Sequence, residues 1–291
     1  MLAQTLQARN FFRDSMLPVR LYFTHRSSGA AWHNHEFTEI AIILAGQEVY
    51  ETEFSVEPIS AGEVLVMPAG GSHCFRDEEN IEQINVLFQF EKLPVPSRDV
   101  CRHPGFTALF RINPEYFHRM RYYPRFRLKD SDLSRVRSLL LHAYEAQEAK
   151  QTGFLLTVYG AFLQLIPILL DNYPVHAADS TARAPERMGD CLEYMQTNFR
   201  REIGVDELAR KVHMTAASFV RHFKAATGCT PLDFLIRLRL DEAMHLLLDE
   251  GVSVAEAAER SGFADSNYFS RIFRRKTGFS PTEFRRQHPI V

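Results

Sequence analysis

Two stretches near the C-terminal end of this 291-residue chain repeat one another, and few folds can accommodate the repeat. Phe219, Arg221, Phe223, Lys224, Gly228, Pro231 and Phe234 recur 50 positions later as Phe269, Arg271, Phe273, Arg274, Gly278, Pro281 and Phe284. Each copy reads as a helix with marked ends. Thr215 and Asp265 carry side-chain oxygens that accept the free N–H groups of a helix start, and glycine followed by proline closes the element. Upstream, VDELA at 205–209 matches VAEAA at 254–258 with a shift of 49, so the second copy has a turn one residue longer. Short helix, turn, longer helix, twice over, is a duplicated helix-turn-helix.

The faces of the longer helices carry the chemistry. Phe269, Ile272 and Phe273 fall at i, i+3, i+4 and form a seam to be buried. Asn267, Ser270, Arg271 and Arg274 fall on another face, and neither of the two longer helices carries an acid between its N-cap and its closing glycine. Amide, hydroxyl and guanidinium groups suit base edges and phosphates in a major groove. Arg221 and Arg271 can form paired bonds with guanine, Asn267 can do so with adenine, and Ala217 and Val220 offer apolar contact to thymine methyls. Lys224, Arg274, Arg275 and Lys276 suit phosphates, which position a protein without specifying sequence. A small bundle with a solvated basic face would share this composition, but it gives no reason for the repeat. Pro231–Leu248 reads as one helix joining the copies. At about 1.5 Å per residue it spans about 27 Å, near the roughly 34 Å repeat of B-DNA.

Ala258, Gly262, Phe263, Asp265, Asn267, Tyr268, Phe269, Arg271, Phe273, Arg274, Gly278, Ser280, Pro281, Phe284 and Arg285 resemble the C-terminal signature of the AraC/XylS (arabinose-regulator) transcription factors. The resemblance covers about the last third of the chain. It implies base contacts at Ala217, Val220, Arg221, Ser266, Asn267, Ser270 and Arg271. Arginines at such positions can instead bridge to an acid of their own module.

Whole-chain composition agrees without pointing there. The net charge is −2, so only its distribution suggests nucleic acid. Cys74, Cys101, Cys191 and Cys229 form no CxxC pair, which argues against a structural zinc site or a disulfide framework and fits a reducing cytoplasm. Met1–Asn10 lacks the apolar core of a signal peptide, and the apolar run from Phe154 to Leu170 is too short and interrupted to span a bilayer. A cytoplasmic protein with no membrane partner is expected.

From about Arg20 to Phe90, short β-rich runs alternate with turn residues: VRLYFTH, FTEIAIILAGQEVYE, GEVLVMPAG, INVLFQF. Many short strands imply a sandwich or barrel. Two motifs lie inside, Gly29-x3-His33-x-His35-x3-Glu39-x6-Gly46 and Gly62-x5-Pro68-x-Gly70-x2-His73. In a regular strand His33, His35 and Glu39 share one side, and His73 could join them from a neighbour. The motifs resemble the cupin double-stranded β-barrel over residues 20–90. The set His33, His35, Glu39 and His73 suits zinc, nickel, manganese or ferrous iron. Two readings compete: a divalent metal in the barrel, or a metal-free effector pocket using the same side chains. No cofactor is required under the second. Tyr22 and Trp32 join these four as candidate effector contacts at the barrel mouth. INVLFQF followed by PGFTALFRINP is similar to the subgroup of these regulators responding to rhamnose and related plant sugars, which implies a carbohydrate effector.

Leu128–Gln151 and Gly153–Asn172 read as amphipathic helices, the second apolar on more than one face, with Pro167 breaking or kinking it. Such a face suits a homodimer interface, as in the resembling family, or a cap on the barrel. Tyr173–Pro185 has small residues and prolines without periodicity and reads as a linker. The expected architecture is a two-domain α+β chain. Residues 1–127 form a cupin-like effector-sensing barrel, 128–172 a helical dimerisation segment, 173–185 the linker, and 186–291 an all-α domain with two helix-turn-helix modules. The expected function is a sequence-specific DNA-binding transcription regulator, an activator meeting RNA polymerase, switched by a sugar. Two rivals remain open. One is a metal-dependent cupin enzyme or metal sensor fused to a DNA-binding domain; the other is a constitutive DNA binder whose barrel is a scaffold.

Overall fold

A computed structural model describes residues 4–12, 17–25, 30–93, 100, 103–174, 184–248 and 251–287. The chain divides into two compact units, Met1–Gly189 and Asp190–Val291. Most of the expected linker, 175–183, lies outside the described residues.

The first unit is built on two long strands, β4 (Thr38–Thr52) and β7 (His73–Phe88), paired antiparallel along their whole length. Register shifts between Ile43 and Val49 bend the pair, so its two ends serve two layers. At one end β2 (Val19–His25) pairs with β7 at 82–88, and β6 (Glu63–Met67) pairs with β4 at 39–42. At the other, β3 (Ala30–His35) pairs with β7, and β5 (Val56–Ser60) pairs with β4 at 47–51. The short strands β1 (Gln4–Leu6) and β8 (Arg125–Arg127) finish the hydrogen-bonded path, β1 parallel to β3 and β8 antiparallel to β6. The result is a half-barrel whose path stays open.

Alternation along β4 and β7 decides the two faces. Ile40, Ile42, Leu44, Ile84, Val86 and Phe88 join the core beneath the helices, whereas Ala41, Ile43, Tyr50, Phe75 and Ile81 line the barrel interior. Helix α1 (Ala8–Phe11) follows β1, and after β7 come helices α2 (Pro104–Phe110) and α3 (Pro114–Met120). Helices α4 (Asp130–Glu148) and α5 (Phe154–Asn172) then pack on one another and on β2. Buried Gln147 of α4 exchanges two hydrogen bonds with the backbone of Leu21, 2.8 and 3.0 Å, which satisfies part of the β2 edge. Pro167 does not end α5, which runs on to Asn172. By length and composition alone α5 could cross a membrane, contrary to the reading of its sequence. Here Val158, Phe162, Leu165, Ile166 and Leu169 bury one side of it in the shared core.

The second unit begins within α6 (Ala184–Asn198). Helices α7 (Val205–Lys211) and α8 (Ala216–Thr227) form one module, and α10 (Val254–Arg260) and α11 (Ser266–Thr277) form the other. Between them runs α9 (Pro231–Leu248), and α12 (Pro281–Gln287) is the last helix of the described residues.

The duplication extends to individual bonds. Thr215 accepts from Ser218 N, and Asp265 from Asn267 N and Tyr268 N. Gly228 and Gly278 take left-handed φ of 74° and 85°, and each donates to the carbonyl four residues back, 2.9 Å. Thr227 and Thr277 each bond the carbonyl of the phenylalanine four residues earlier at 2.8 Å, a repeated pair that the sequence reading passed over. Phe223 sits between Phe219 and Phe234 just as Phe273 sits between Phe269 and Phe284, with ring centroids 5.4–5.6 Å apart.

Candidate ligand cavity and nucleic-acid interface

A cavity of about 280 Å³ opens between the strands of the half-barrel and the N-terminal segment. Tyr22, Thr24, His33, Glu39 and Asn85 give it polar groups; Leu6, Phe11, Phe37, Phe75 and Leu87 give it apolar walls. β1 lies beside β3 with Gln4 opposite His33, and Ala8 N donates to the Glu36 carboxylate at 3.0 Å. Phe11 packs on Tyr22 and Phe37, with centroids 5.7 and 5.1 Å away. The N-terminal segment thus forms one wall.

Asn85 is the polar group that sequence reasoning missed. Gln83 Nε2 donates to Asn85 Oδ1 at 2.6 Å, which leaves the Asn85 amide N–H groups for other partners. Buried Gln83 and Asn85 alternate with Ile84 and Val86, so here the inward face of the strand is the polar one. Polar residues at alternate positions usually mark the solvent side, and that expectation hides them.

The six predicted contacts separate. Tyr22, His33 and Glu39 line the cavity. His73 lies behind His33, with ring centroids 4.4 Å apart and the two residues in register across β3 and β7. Trp32 does not line it: Ala31 and His33 do, and the intervening residue of a strand faces the other way. His35 does not line it either.

The four-ligand set also needs correcting. The chain turns at Glu36 and Phe37, so 33–39 is not one regular strand and its parity does not carry through. Ligand atoms of His33, Glu39 and His73 lie within 4.8 Å of one another, but His35 falls outside that group. Its Nδ1 bonds the Phe37 carbonyl at 2.6 Å, its ring stacks on Phe37, and its Nε2 stands 3.4 Å from Glu39. The Phe37 carbonyl and ring thus fix His35, and its Nε2, which has no hydrogen-bond partner among the described residues, faces Glu39 without donating to it.

Burial lowers the His35 pKa from 6.5 to about 4, the Phe37 carbonyl opposing and His33 adding to the fall. The unfolded chain binds this proton at higher pH than the folded one, so its contribution to stability is complete above about 6.5 and lost as pH falls toward 4. The expected result, in chelator, is a thermal midpoint that declines over this window. His35→Gln should flatten that decline relative to the parent; equal slopes would contradict the assignment.

In the second unit the candidate DNA contacts lie on α8 and α11. Ala217, Arg221, Lys224, Ser266, Asn267, Arg271, Arg274 and Arg275 are exposed, and Val220 and Ser270 are partly exposed. Phe219, Phe223, Phe269, Ile272 and Phe273 are buried on the opposite side. Arg221 and Arg271 form no ion pair among the described residues; the Arg271 guanidinium instead lies 5.6 Å from the Tyr268 ring centre. Lys276, assigned to phosphate from sequence, stands 3.5 Å from Asp233 at the start of α9.

Residues 18–157 match the family described as the AraC-like ligand binding domain, and residues 208–287 match a helix-turn-helix domain family. The HTH-type transcriptional activator RhaS of Enterobacter sp. (strain 638) is 28% identical over 281 residues, 96% of each chain. The HTH-type transcriptional activator RhaR of Mannheimia succiniciproducens is 27% identical over 282 residues, again 96% of each. Among solved structures, the C-terminal domain of AraT, a response regulator from Geobacillus stearothermophilus, is 25% identical with a TM-score of 0.35, covering 38% of this chain and 91% of that one. The DNA-binding domain of AdpA in complex with a target DNA is 31% identical with a TM-score of 0.34, covering 35% and 91%.

Proposed function

We propose that this chain, which belongs to the AraC family of DNA-binding transcription regulators with a ligand-binding domain, is an activator switched by a neutral sugar in the half-barrel cavity. The observation that carries the sugar is the cavity's mixed lining. Glu39, Asn85, Thr24, Tyr22 and His33 offer acceptors and donors for hydroxyl groups, while Phe11, Phe37 and Phe75 offer apolar surface to ring C–H groups. Activation is supported by relatives that are activators over nearly their whole length. RNA polymerase is then a partner, and the cytoplasm the place of action.

Ligand binding changes activity only through a difference in affinity between two states, about 1–3 kcal/mol of coupling in typical cases. Because the N-terminal segment is both a wall of the cavity and a strand of the sheet, a bound sugar would alter its hold on β3. A homodimer is supported by the start of α5, where Leu155 and Leu156 are exposed, Leu156 by 69%, beside Tyr159 and Leu163, which are only partly covered by the core. A two-fold protein reads paired half-sites.

A second reading has a divalent metal in the same cavity, and His33, Glu39 and His73 fit it. Two imidazoles and a carboxylate are a donor set for zinc, manganese, nickel or iron, where an ion would polarise a bound oxygen.

A thermal-shift panel of monosaccharides and divalent metals, with and without chelator, separates the readings. At a hundred times its dissociation constant a ligand adds about 2.7 kcal/mol of stability. A neutral sugar should raise the midpoint in chelator. His33→Ala with His73→Ala, and separately Asn85→Ala, should remove that shift while basal operator binding stays. Stabilisation by metal alone would favour the second reading, and loss of DNA binding in a still-folded variant would contradict the division of labour.

A further inference from the structure

A second cavity, about 500 Å³, lies beside the first in the same unit and has no part in the function proposed above. It is bounded by β4, β5, β6 and the segment 121–127. Its chemistry comes from Tyr50, Phe54, Glu57, Glu63, Arg121 and Arg125.

The charges along its lining are not all paired among the described residues. Arg125 bonds both Glu57 and Glu63 and donates to the Pro58 carbonyl at 3.0 Å. Arg127 also pairs with Glu63. Arg121 is the third arginine and makes no ion pair among the described residues. It occupies the left-handed residue that ends α3, φ 54°, and its guanidinium stands 5.6 Å from the centre of the Phe54 ring. Among the lining residues three guanidinium groups meet two carboxylates; Glu53 behind the wall is engaged by the Tyr123 hydroxyl, and Arg121 is the lining arginine without an ion pair among the described residues.

Tyr50 separates the two cavities. Its ring packs on Phe75 and His73, with centroids 5.3 and 6.0 Å away. Its hydroxyl is buried and has no hydrogen-bond partner among the described residues. A buried hydroxyl left unpaired is costly, and a ligand oxygen is the group that would satisfy it. Burial, reinforced by Tyr123 and the surrounding glutamates, pushes the Tyr50 pKa well up, so the hydroxyl remains a donor.

We propose that this second cavity binds a small organic anion bearing hydroxyl groups, a sugar acid or sugar phosphate. Its anionic group pairs with Arg121, its body rests on Phe54, and one hydroxyl or ring oxygen accepts from Tyr50. The first cavity disfavours such a molecule, because Glu39 would face its charge. The two sites therefore take ligands of different charge, and this assignment stands apart from the neutral-sugar reading.

The test uses calorimetric titration and thermal melts of the full chain with D-galacturonate, D-gluconate and D-glucose 6-phosphate, each beside its neutral sugar. At least one anion should bind, and the carboxylate and phosphate arms identify which source fits. Arg121→Gln and Tyr50→Phe should each weaken that binding about tenfold or more, while His33→Ala leaves it unchanged. Without ligand, Tyr50→Phe should melt no lower than the parent, since it removes an unpaired group. Absence of binding by all three anions, binding indifferent to both substitutions, or binding lost in His33→Ala would overturn the proposal.

Discussion

Replacing Gly262 with alanine is expected to cost the DNA-binding unit about 2–5 kcal/mol, the sum of two penalties. Gly262 has φ 89°, and an L side chain in left-handed backbone costs about 1–2 kcal/mol. A Cβ there would also lie 2.6 Å from the carbonyl oxygen of Arg200 and 2.7 Å from its Cα, an overlap of the kind that costs about 1–3 kcal/mol. Backbone is the obstacle, and this backbone is held. Arg239 Nε donates to the Phe199 carbonyl at 2.7 Å and Nη2 to that of Arg201 at 2.8 Å, while the Arg200 side chain pairs with buried Glu242 at 2.6 Å. Gly278→Ala is the control. It has a similar φ of 85° but nothing within 4 Å of the added carbon, so only the conformational penalty should remain. Urea denaturation of both variants gives the comparison; equal losses would mean that the Arg200 segment yields.

Arg271→Ala is expected to cost about 1–3 kcal/mol of operator binding and to relax preference at one base pair. Arg271 shares the exposed side of α11 with Asn267 and Ser270, and as it forms no ion pair among the described residues, its guanidinium is available to a base edge. Arg274→Ala should instead weaken all sequences alike and reduce the salt dependence by about one counterion. Binding to a randomised site library at two salt concentrations measures both. A uniform loss for Arg271→Ala would reassign that residue to phosphate.

The C-terminal unit was legible because its instructions are local. Caps at Thr215 and Asp265, glycine ends and prolines at 231 and 281 each act within a turn, and their recurrence gave the register of the second copy from the first. The contacts that hold the middle helix to the segment before the first copy, Arg239 to the Phe199 and Arg201 carbonyls, span about 40 residues and leave no periodic trace. In the half-barrel, apolar runs revealed β2, β4 and β6. The first half of β7 falls in none of those runs, because Arg76–Asn80 carries no apolar residue to mark a strand, and Asn80 takes φ 50° inside it. The ligand motifs located His33, Glu39 and His73 correctly as neighbours. They misplaced His35 and Trp32, since a turn at 36–37 and the opposite face of β3 are decided by tertiary pairing. β1 was illegible for the same reason, being three residues that become a strand only beside β3.

Arg239 holds the carbonyls of residues 199 and 201, Arg201 pairs with Glu207 of the first module, Gly262 of the second packs close to Arg200, and Lys276 stands beside Asp233, so both modules are braced through the middle helix and the segment 199–201. A reader so braced cannot stretch or swivel to follow an altered site. Inserting one base pair between the two contacted segments of an operator turns one of them by about 35° relative to the other. The duplex would have to untwist or bend to restore the match, so tolerance to spacer length would depend on the DNA's stiffness, with little contribution from the protein.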